Sequence, residues 1–115
     1  MNNKILKLKI RAQDRDIFKA IKNGKKKIET RAATEKYREL KINDVIMFVC
    51  GKEILKKKIK SAENFKTISA LLKKYKPQQI NPRIKIEKEL RKMWYSFPNY
   101  RKKIRKHGLV VWKLK

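Results

Sequence analysis

The amino-acid sequence predicts a single α+β domain, residues 1–115, in which a small curled sheet is flanked by helices. The chain of 115 residues is 41% hydrophobic, which is enough to bury one compact core but not two. Segments with strand-like and with helical apolar spacing follow one another in the order β-α-β-β-β-α-α-α-β. Only three glycines and three prolines are present, so no flexible linker divides the chain.

The N-terminal quarter predicts a strand followed by a short helix. The segment KILKLKI alternates apolar and basic residues, which is typical of a half-buried strand. The next apolar residues have helical spacing and are Ile17, Phe18 and Ile21. Either Asp14 or Asp16 can cap the start of this helix. Asn23 and Gly24 can end it, because glycine tolerates the left-handed conformation.

The middle of the chain predicts three strands. Residues 26–31, KKIETR, form the first, and residues 32–44 form a loop that ends in the turn residues Asn43 and Asp44. The continuous apolar run VIMFVC predicts a central strand. Its partner strand is residues 53–65, EILKKKIKSAENF, which carry a mostly basic outer face.

The second half predicts three helices and a closing strand. Thr67 begins a helix whose apolar residues are Ile68, Leu71, Leu72 and Tyr75. The segment KPQQINP ends this helix, because proline cannot continue one. A second helix spans residues 83–95, and its apolar face consists of Ile86, Leu90, Met93 and Trp94. A short third helix stops at Gly108, and LVVWKLK forms the last strand.

The formal net charge of +25 and the pI near 10.4 predict a polyanionic partner. Nucleic acid is the commonest polyanion that such basic domains bind. An AT-rich genome or a thermophilic origin would also produce an excess of lysine, but it would raise the glutamate content as well, and the chain has only 10 acidic residues. Repulsion between copies at this charge predicts a monomer.

Cysteine and histidine usage predicts neither a disulfide nor a metal or cofactor site. Cys50 is the only cysteine and lies in an apolar run, so we expect a buried thiol. His107, the only histidine, is expected to interact with a helix dipole. No segment approaches the ~18 apolar residues of a membrane span, and the charged N-terminus does not resemble a signal peptide. We therefore expect a cytoplasmic protein without membrane contact.

Residues 24–31, GKKKIETR, form the most specific pattern in the chain, G-x-K-x-x-E-x-R. On an ideal strand Glu29 and Arg31 share one open face about 7 Å apart, so both can contact one ligand. Lys26 faces the other way on such a strand and joins them only if the chain bends just after Gly24. The alternative is an exposed surface ion pair, which contributes less than ~1 kcal/mol.

This pattern resembles the hallmark sequence of the ASCH domain family, which belongs to the PUA-like superfamily. Three further segments are similar to segments of the family and follow in the same order. They are DIFKAIKNG before the pattern, KYRELKINDVIMF after it, and YSFPNYRKKIRKHGLVVWKL near the end. One difference is that Asn43 stands where the family usually has glycine, and asparagine also tolerates a positive φ.

The resemblance implies a small β-barrel-like fold with a cleft that contacts RNA. Family members are regarded as RNA-binding, and relatives in the superfamily hold RNA or a modified base in this cleft. Aromatic side chains beside basic ones suit base stacking and phosphate contact. The expected RNA-binding residues are therefore the three of the pattern and five neighbours, namely Lys26, Glu29, Arg31, Tyr37, Arg38, Tyr100, Lys102 and Lys103.

Two alternatives compete with simple RNA binding. The first is an RNA-processing or nucleoside-modifying hydrolase, since the resemblance includes ribonucleases and amidohydrolases that deacetylate N4-acetylcytidine. Those deacetylases carry threonine where this chain has Glu29, which counts against the same activity here. Glu29 with Lys26 or Arg31 could still provide a general base and a charge stabiliser. The second is a basic module that docks on a ribosome or transcription complex.

Several other residues have two interpretations. Trp94 and Trp112 are expected in the core, whereas Tyr95 or Tyr100 is the better surface candidate for base stacking. Tyr37 suits packing on the core edge and stacking equally well. Three consecutive lysines either follow a phosphate backbone or protect a sheet edge from pairing, and they are Lys56, Lys57 and Lys58.

Overall fold

The sheet has five strands and is curled into a half-barrel. The computed structural model describes residues 3–115. The strands are β1 (Ile5–Lys9), β2 (Ile28–Ala32), β3 (Val45–Cys50), β4 (Glu53–Phe65) and β5 (Leu109–Leu114). Their order across the sheet is β1-β3-β4-β5-β2, so β1 and β2 are its two edges. The α+β class and the curled sheet expected from the sequence are therefore confirmed.

Strand β4 produces the curl. Its 13 residues are long enough to pair with two neighbours in succession, first with β3 and then with β5. The register shifts between Ile59 and Ser61, and such a bulge bends a strand and increases its twist. Every pairing is antiparallel except that of β1 with β3. The half-barrel is left with a gap between its edge strands, β1 and β2.

Six α-helices and one short 3-10 helix connect the strands in residues 3–115. They are the 3-10 helix Ala12–Asp14, α1 (Arg15–Lys22), α2 (Glu35–Arg38), α3 (Ile68–Leu72), α4 (Pro77–Ile80), α5 (Glu87–Tyr95) and α6 (Tyr100–His107). Four of them lie between β4 and β5, where the sequence predicts three. No helix in this described part of the chain is long and apolar enough to cross a membrane.

Two of the connections differ from the prediction. Residues 32–44 are not a plain loop, because the four-residue helix α2 lies within them. The first helix of the second half ends before the segment KPQQINP, as expected, but this segment also contains α4, which begins at Pro77. Proline suits the first turn of a helix, where its missing N–H is not needed.

Two helix boundaries also differ from the prediction. Helix α3 ends at Leu72, so Tyr75 lies beyond it, although this side chain is buried. Helix α5 begins at Glu87 rather than at residue 83. Ile86 is therefore the residue before its first turn and is 52% exposed, instead of packing on the apolar face of the helix.

Local side chains and backbone conformations set the ends of several elements. The hydroxyl of Thr67 accepts a hydrogen bond from Ala70 N at 3.0 Å and caps α3 as expected. Asp14 precedes α1, but its side chain makes no capping hydrogen bond there. Asn43 has a φ of +75°, which confirms that asparagine takes the left-handed turn position. Gly24 has a φ of +82° after α1.

Two hydrophobic clusters lie on opposite faces of the sheet. The first fills the concave face and includes Leu6, Leu8, Phe18, Ile21, Ile46, Phe48, Cys50, Ile59 and Trp112. The second lies between the other face of β2 and β5 and helices α3–α6, and includes Ile28, Ala32, Leu71, Leu90, Trp94, Leu109 and Val111. The expected burial of both tryptophans and of the cysteine is confirmed.

Gly108 provides a test of the connection between α6 and β5. Its φ is +74°, and a Cβ at this position would collide with the backbone oxygen of Phe65. We expect Gly108→Ala to lower the free energy of unfolding by at least about 2 kcal/mol, because strain and a backbone clash add. Gly51→Ala is the matched control, since Gly51 also has a positive φ but no atom within 4 Å of the added Cβ. Equal losses in urea denaturation would contradict the role of the close approach.

Candidate functional site

A cavity of about 610 Å³ lies in the gap between the two edge strands. One wall is formed by the end of β1 and the 3-10 helix that follows, and the opposite wall by β2. The third wall comes from the helical layer, between the end of α4 and the start of α6. Cavities of this volume are typical of sites for small ligands.

The three side chains of the GKKKIETR pattern meet at this cavity. Strand β2 begins two residues after Lys26, and the positive φ of Gly24 provides the bend that the pattern requires. The Lys26 amide donates to Ala20 O at 2.9 Å, which fixes the bent segment against α1. As a result, Lys26 Nζ lies 3.6 Å and Arg31 Nη1 lies 3.0 Å from the same atom, Glu29 Oε1.

The pattern is more buried than an open strand face. Glu29 is 8% exposed and Lys26 is 3% exposed. The curl of the sheet causes this burial, because Glu29 lies opposite Trp112 of β5, whose side chain belongs to the concave core. The expectation of an open face, and with it the alternative of an exposed surface ion pair, is therefore wrong.

The same side chains also form hydrogen bonds with the backbone groups at the free edge of β2. This strand pairs with β5 on one side only, and successive residues of a strand point their backbone groups to alternate sides. The groups that face away from β5 belong to residues 28, 30 and 32. Their hydrogen bonds are Lys26 Nζ to Ile28 O, Thr30 N to Glu29 Oε1 (3.0 Å), Arg31 Nη1 to Thr30 O (2.7 Å) and Ala32 N to Tyr100 Oη (3.1 Å). The pattern therefore has a structural role beside any role in binding.

Burial and charge determine the ionisation of the site. Burial raises the pKa of Glu29, but the charges of Lys26 and Arg31 outweigh it, so its pKa lies below the usual value. Burial lowers the pKa of Lys26, and the attraction of Glu29 offsets this only in part. For Arg31 burial lowers the pKa, but Glu29 raises it further, so the guanidinium stays charged. The site holds a carboxylate, a guanidinium and a lysine that loses its proton more readily than usual.

Three of the other predicted RNA-binding residues line the cavity. Tyr37 packs its ring edge-on against Trp112, with 5.8 Å between the ring centroids, and presents its remaining surface to the cavity. Tyr100 lines it from the first turn of α6, and Lys103 lies one turn further along the same helix. Burial raises the pKa of Tyr100, so its hydroxyl stays protonated at neutral pH. Tyr37 thus packs on the core edge and also borders the cavity, and base stacking on it stays a prediction.

The remaining two predicted residues lie outside the cavity lining. Arg38 donates from Nη2 to His107 O at 3.2 Å, at the C-terminal end of α6. Lys102 is exposed on α6 and does not border the cavity. Tyr95, the other tyrosine that the sequence offers for base stacking, is also outside the lining, and its ring centroid lies 5.0 Å from the Arg101 guanidinium.

Sequence reasoning missed an arginine that joins two walls of the cavity. Arg83, between α4 and α5, donates from Nε to Asp16 Oδ2 at 2.7 Å and from Nη1 to Asp14 Oδ1 at 3.0 Å. Arg11 contacts the other oxygen of Asp14 at 2.9 Å. Arg83 is more than sixty residues from both aspartates along the chain, so no local pattern indicates their contact. Phe97 and Lys9 also line the cavity, although neither was among the expected binding residues.

The lining of the cavity is predominantly basic. The lysine, arginine, aspartate and glutamate residues of this lining are Lys9, Arg11, Asp14, Lys26, Glu29, Arg31, Arg83 and Lys103. Only two of these eight are acids, so the cavity favours a ligand that carries negative charge. Throughout residues 3–115, no group of three or more histidine, cysteine, aspartate or glutamate side chains is placed to hold a metal ion.

The three consecutive lysines lie in the part of β4 that pairs with β3, away from β2 and the cavity. Lys56 and Lys58 are exposed on one face, and Lys57 points to the other face, as strand alternation requires. They pair through their backbones with β3, whereas the pairing of β4 with β5 begins only at Ile59, so Lys56 and Lys57 lie where β4 has a partner strand on one side only. This position agrees with protection of a sheet edge, and contact with a phosphate backbone stays a prediction.

Two solved structures match almost the whole chain. The crystal structure of hypothetical protein PH0355 has 29% sequence identity and a TM-score of 0.81, and the match covers 96% of this chain and 97% of that chain. The solution NMR structure of protein PF0455 from Pyrococcus furiosus has 28% identity and a TM-score of 0.76, with 96% of each chain covered. No protein-family model matches the chain, and no curated protein matches it.

Replacement of Tyr100 tests the capping of the β2 edge. Tyr100→Phe keeps the ring but removes the oxygen that accepts from Ala32 N. We expect a loss of about 1–2 kcal/mol in the free energy of unfolding, because a mostly buried amide is left unpaired. Tyr75→Phe is the control, since Tyr75 is equally aromatic and 5% exposed. Faster hydrogen exchange at the Ala32 amide in the first variant alone would support the cap, and equal effects would contradict it.

The pH dependence of stability tests the Glu29 carboxylate. Its pKa is lower in the folded chain than in the unfolded chain, so its contribution is present above the usual value of 4.5. The contribution is lost as the pH falls through the lower folded pKa. We expect the difference in free energy of unfolding between wild type and Glu29→Gln to be constant from about pH 6 to 7 and to shrink toward about pH 3. A difference that does not change with pH would show that charge at Glu29 does not stabilise the fold.

Proposed function

We propose that this chain is an RNA-binding module of the ASCH type, in which the cavity holds one nucleotide and basic side chains hold the neighbouring phosphates. The observation that carries the proposal is a buried carboxylate, Glu29, with one oxygen left for a ligand inside a predominantly basic cavity. An RNA partner in the cytoplasm and a monomeric state are consistent with a net charge of +25.

Glu29 and Arg31 each have atoms left over for a ligand. The three contacts of Glu29 within residues 3–115 all involve Oε1, which leaves Oε2 without a hydrogen-bond partner there. Arg31 uses Nη1 for its contacts with Glu29 and Thr30, which leaves Nη2 available. A carboxylate oxygen accepts from a base N–H or from a ribose 2′-hydroxyl, and a guanidinium donates to a base or phosphate oxygen.

Aromatic side chains provide surfaces for a nucleobase. Tyr37, Phe97 and Tyr100 all line the cavity. Phe97 and Tyr100 form an edge-to-face pair with 5.3 Å between their ring centroids, which holds both rings in place. Stacking on such side chains is the usual way in which proteins bind unpaired RNA bases.

Cationic side chains at the rim provide contacts for phosphates. Lys9 and Arg11 lie on the β1 side of the cavity, and Lys103 lies on the helical side. A nucleotide between them would place its flanking phosphates near charge on both sides. The binding would then depend steeply on salt, because each neutralised phosphate releases counterions.

Fluorescence-anisotropy titrations of a single-stranded RNA and the matching DNA test this proposal. We expect wild type to prefer RNA, and we expect Glu29→Gln to lose at least about tenfold in RNA affinity and most of that preference, since a charged acceptor is removed. The salt dependence should stay the same, because no phosphate contact is lost. Lys22→Gln, at an exposed position of α1 outside the cavity, is the control.

The proposal fails if wild type shows no preference for RNA over heparin or over the matching DNA. If RNA binding is specific, Glu29→Gln binds like wild type and neither protein turns over RNA, the cavity is not the site and the lysine faces dock the chain on a larger complex.

The lowered pKa of Lys26 favours a hydrolase as the second candidate. A buried lysine that gives up its proton readily, 3.6 Å from a carboxylate, suits general base catalysis on a bound nucleotide. Arg31 would then stabilise the negative charge that develops. This candidate requires turnover of RNA or of a modified nucleoside such as N4-acetylcytidine. Turnover that disappears in Glu29→Gln while RNA affinity survives would favour it over simple binding.

A further inference from the structure

The convex face of β1, β3 and β4 carries an apolar stripe that nothing in residues 3–115 covers. Alternation along the strands points Ile5 outward from β1, and it is 60% exposed. Ile54 of β4 points outward and is 61% exposed. Between them lie the half-buried side chains of β3 that point the same way, which are Val45, Met47 and Val49. The helices do not reach this face, because their buried residues belong to the concave core or to the cluster over β2 and β5.

Strand register arranges these residues as a diagonal. The three cross-strand rows are Ile5–Val45–Lys58, Lys7–Met47–Lys56 and Lys9–Val49–Ile54. The apolar stripe therefore runs from one corner of the face, through the middle strand, to the opposite corner. Strand spacing and rise give it a length of about 17 Å. A helix of about 11 residues has the same length.

Lysines flank the stripe on both sides and no acid interrupts them. Lys7 and Lys9 lie on the β1 side, and Lys56 and Lys58 lie on the β4 side. Exposed apolar patches with a charged rim mark protein interaction surfaces. Lysines on both sides of an apolar stripe complement a helix with apolar residues along one face and acids on either side of it.

We propose that this face binds an acidic amphipathic helix of a partner protein. The apolar stripe packs against the apolar face of the helix, and the four lysines attract its flanking carboxylates. A second copy of this chain does not fit, since it would bring further positive charge to a face that has only positive charge. The stripe also distinguishes this face from a phosphate-binding surface, because a nucleic-acid backbone gains nothing from exposed isoleucines and the face has no aromatic side chain for stacking.

The probe is a fluorescein-labelled helical peptide of about 15 residues, with leucines at i, i+3, i+4, i+7 and i+11 and glutamates on both sides of that stripe. Its control is a peptide of the same composition whose leucines are scattered around the helix. We expect wild type to bind the first peptide at least about tenfold more tightly than the second. Met47→Glu should remove this difference, since it places an acid in the middle of the stripe.

A second variant is needed because Met47→Glu could lose binding through a folding defect. Lys7→Glu/Lys56→Glu changes two exposed side chains and should weaken binding of the first peptide at least about tenfold. Lys22→Glu/Lys88→Glu makes the same change of charge at exposed positions outside this face and should bind nearly as wild type. Glu29→Gln should also bind as wild type, so the result is independent of the proposed nucleotide site.

Four outcomes would overturn the proposal. The first is no measurable binding of the striped peptide, and the second is equal binding of both peptides, which would show attraction by charge alone. The third is loss of RNA affinity in Lys7→Glu/Lys56→Glu beyond that of the control pair, which would assign the face to nucleic acid. The fourth is binding of phosphatidylserine vesicles that Met47→Glu abolishes, which would assign it to a membrane surface.

Discussion

The free edge of β2 is the constraint on which the site depends. A half-barrel leaves the outer backbone groups of its edge strands without a neighbouring strand, and buried amides and carbonyls are costly when unpaired. In β2 the side chains of Lys26, Glu29, Arg31 and Tyr100 supply the missing hydrogen bonds. The spacing of the GKKKIETR pattern follows from this role. Glu29 and Arg31 each reach the backbone of the residue before or after them, and Lys26 reaches forward to β2 from a bend that glycine permits.

Capping of the β2 edge uses only some of the polar atoms of these side chains. Glu29 uses Oε1 for the fold and leaves Oε2 to the cavity, and Arg31 uses Nη1 and leaves Nη2. The burial of three charges costs solvation energy, which is recovered only when each charge has close partners. Here the carboxylate lies between two cations and also accepts from a backbone amide. Because the strand edge holds these groups rigidly, a ligand would meet them already in position, and little ordering would be required on binding.

The sequence predicts local features well and contacts between distant residues poorly. The continuous apolar run VIMFVC, the basic partner strand of residues 53–65 and the glycine that permits a bend at position 24 are all encoded within a few residues, and the structure contains the central strand, its partner and the bend. The burial of Glu29 depends instead on the curl of β4, and the contact of Arg83 with Asp14 joins elements that are far apart in the chain. The start of α5 could not be placed either, because Ile86 fits the apolar spacing of the helix but lies just outside it.

The distribution of the acidic residues explains why so much positive charge is left for partners. Eight of the ten acids hold a cation or a backbone amide of the same chain, namely Asp14, Asp16, Glu29, Glu39, Asp44, Glu53, Glu63 and Glu87. Glu29 and Glu87 hold groups within four residues along the chain, and the other six acids join separate segments, so few acids are left to neutralise the sheet faces. The 35 basic residues therefore outnumber their internal partners. Their counter-charges must come from small ions or from a bound polyanion, and release of those ions is what favours binding of the polyanion.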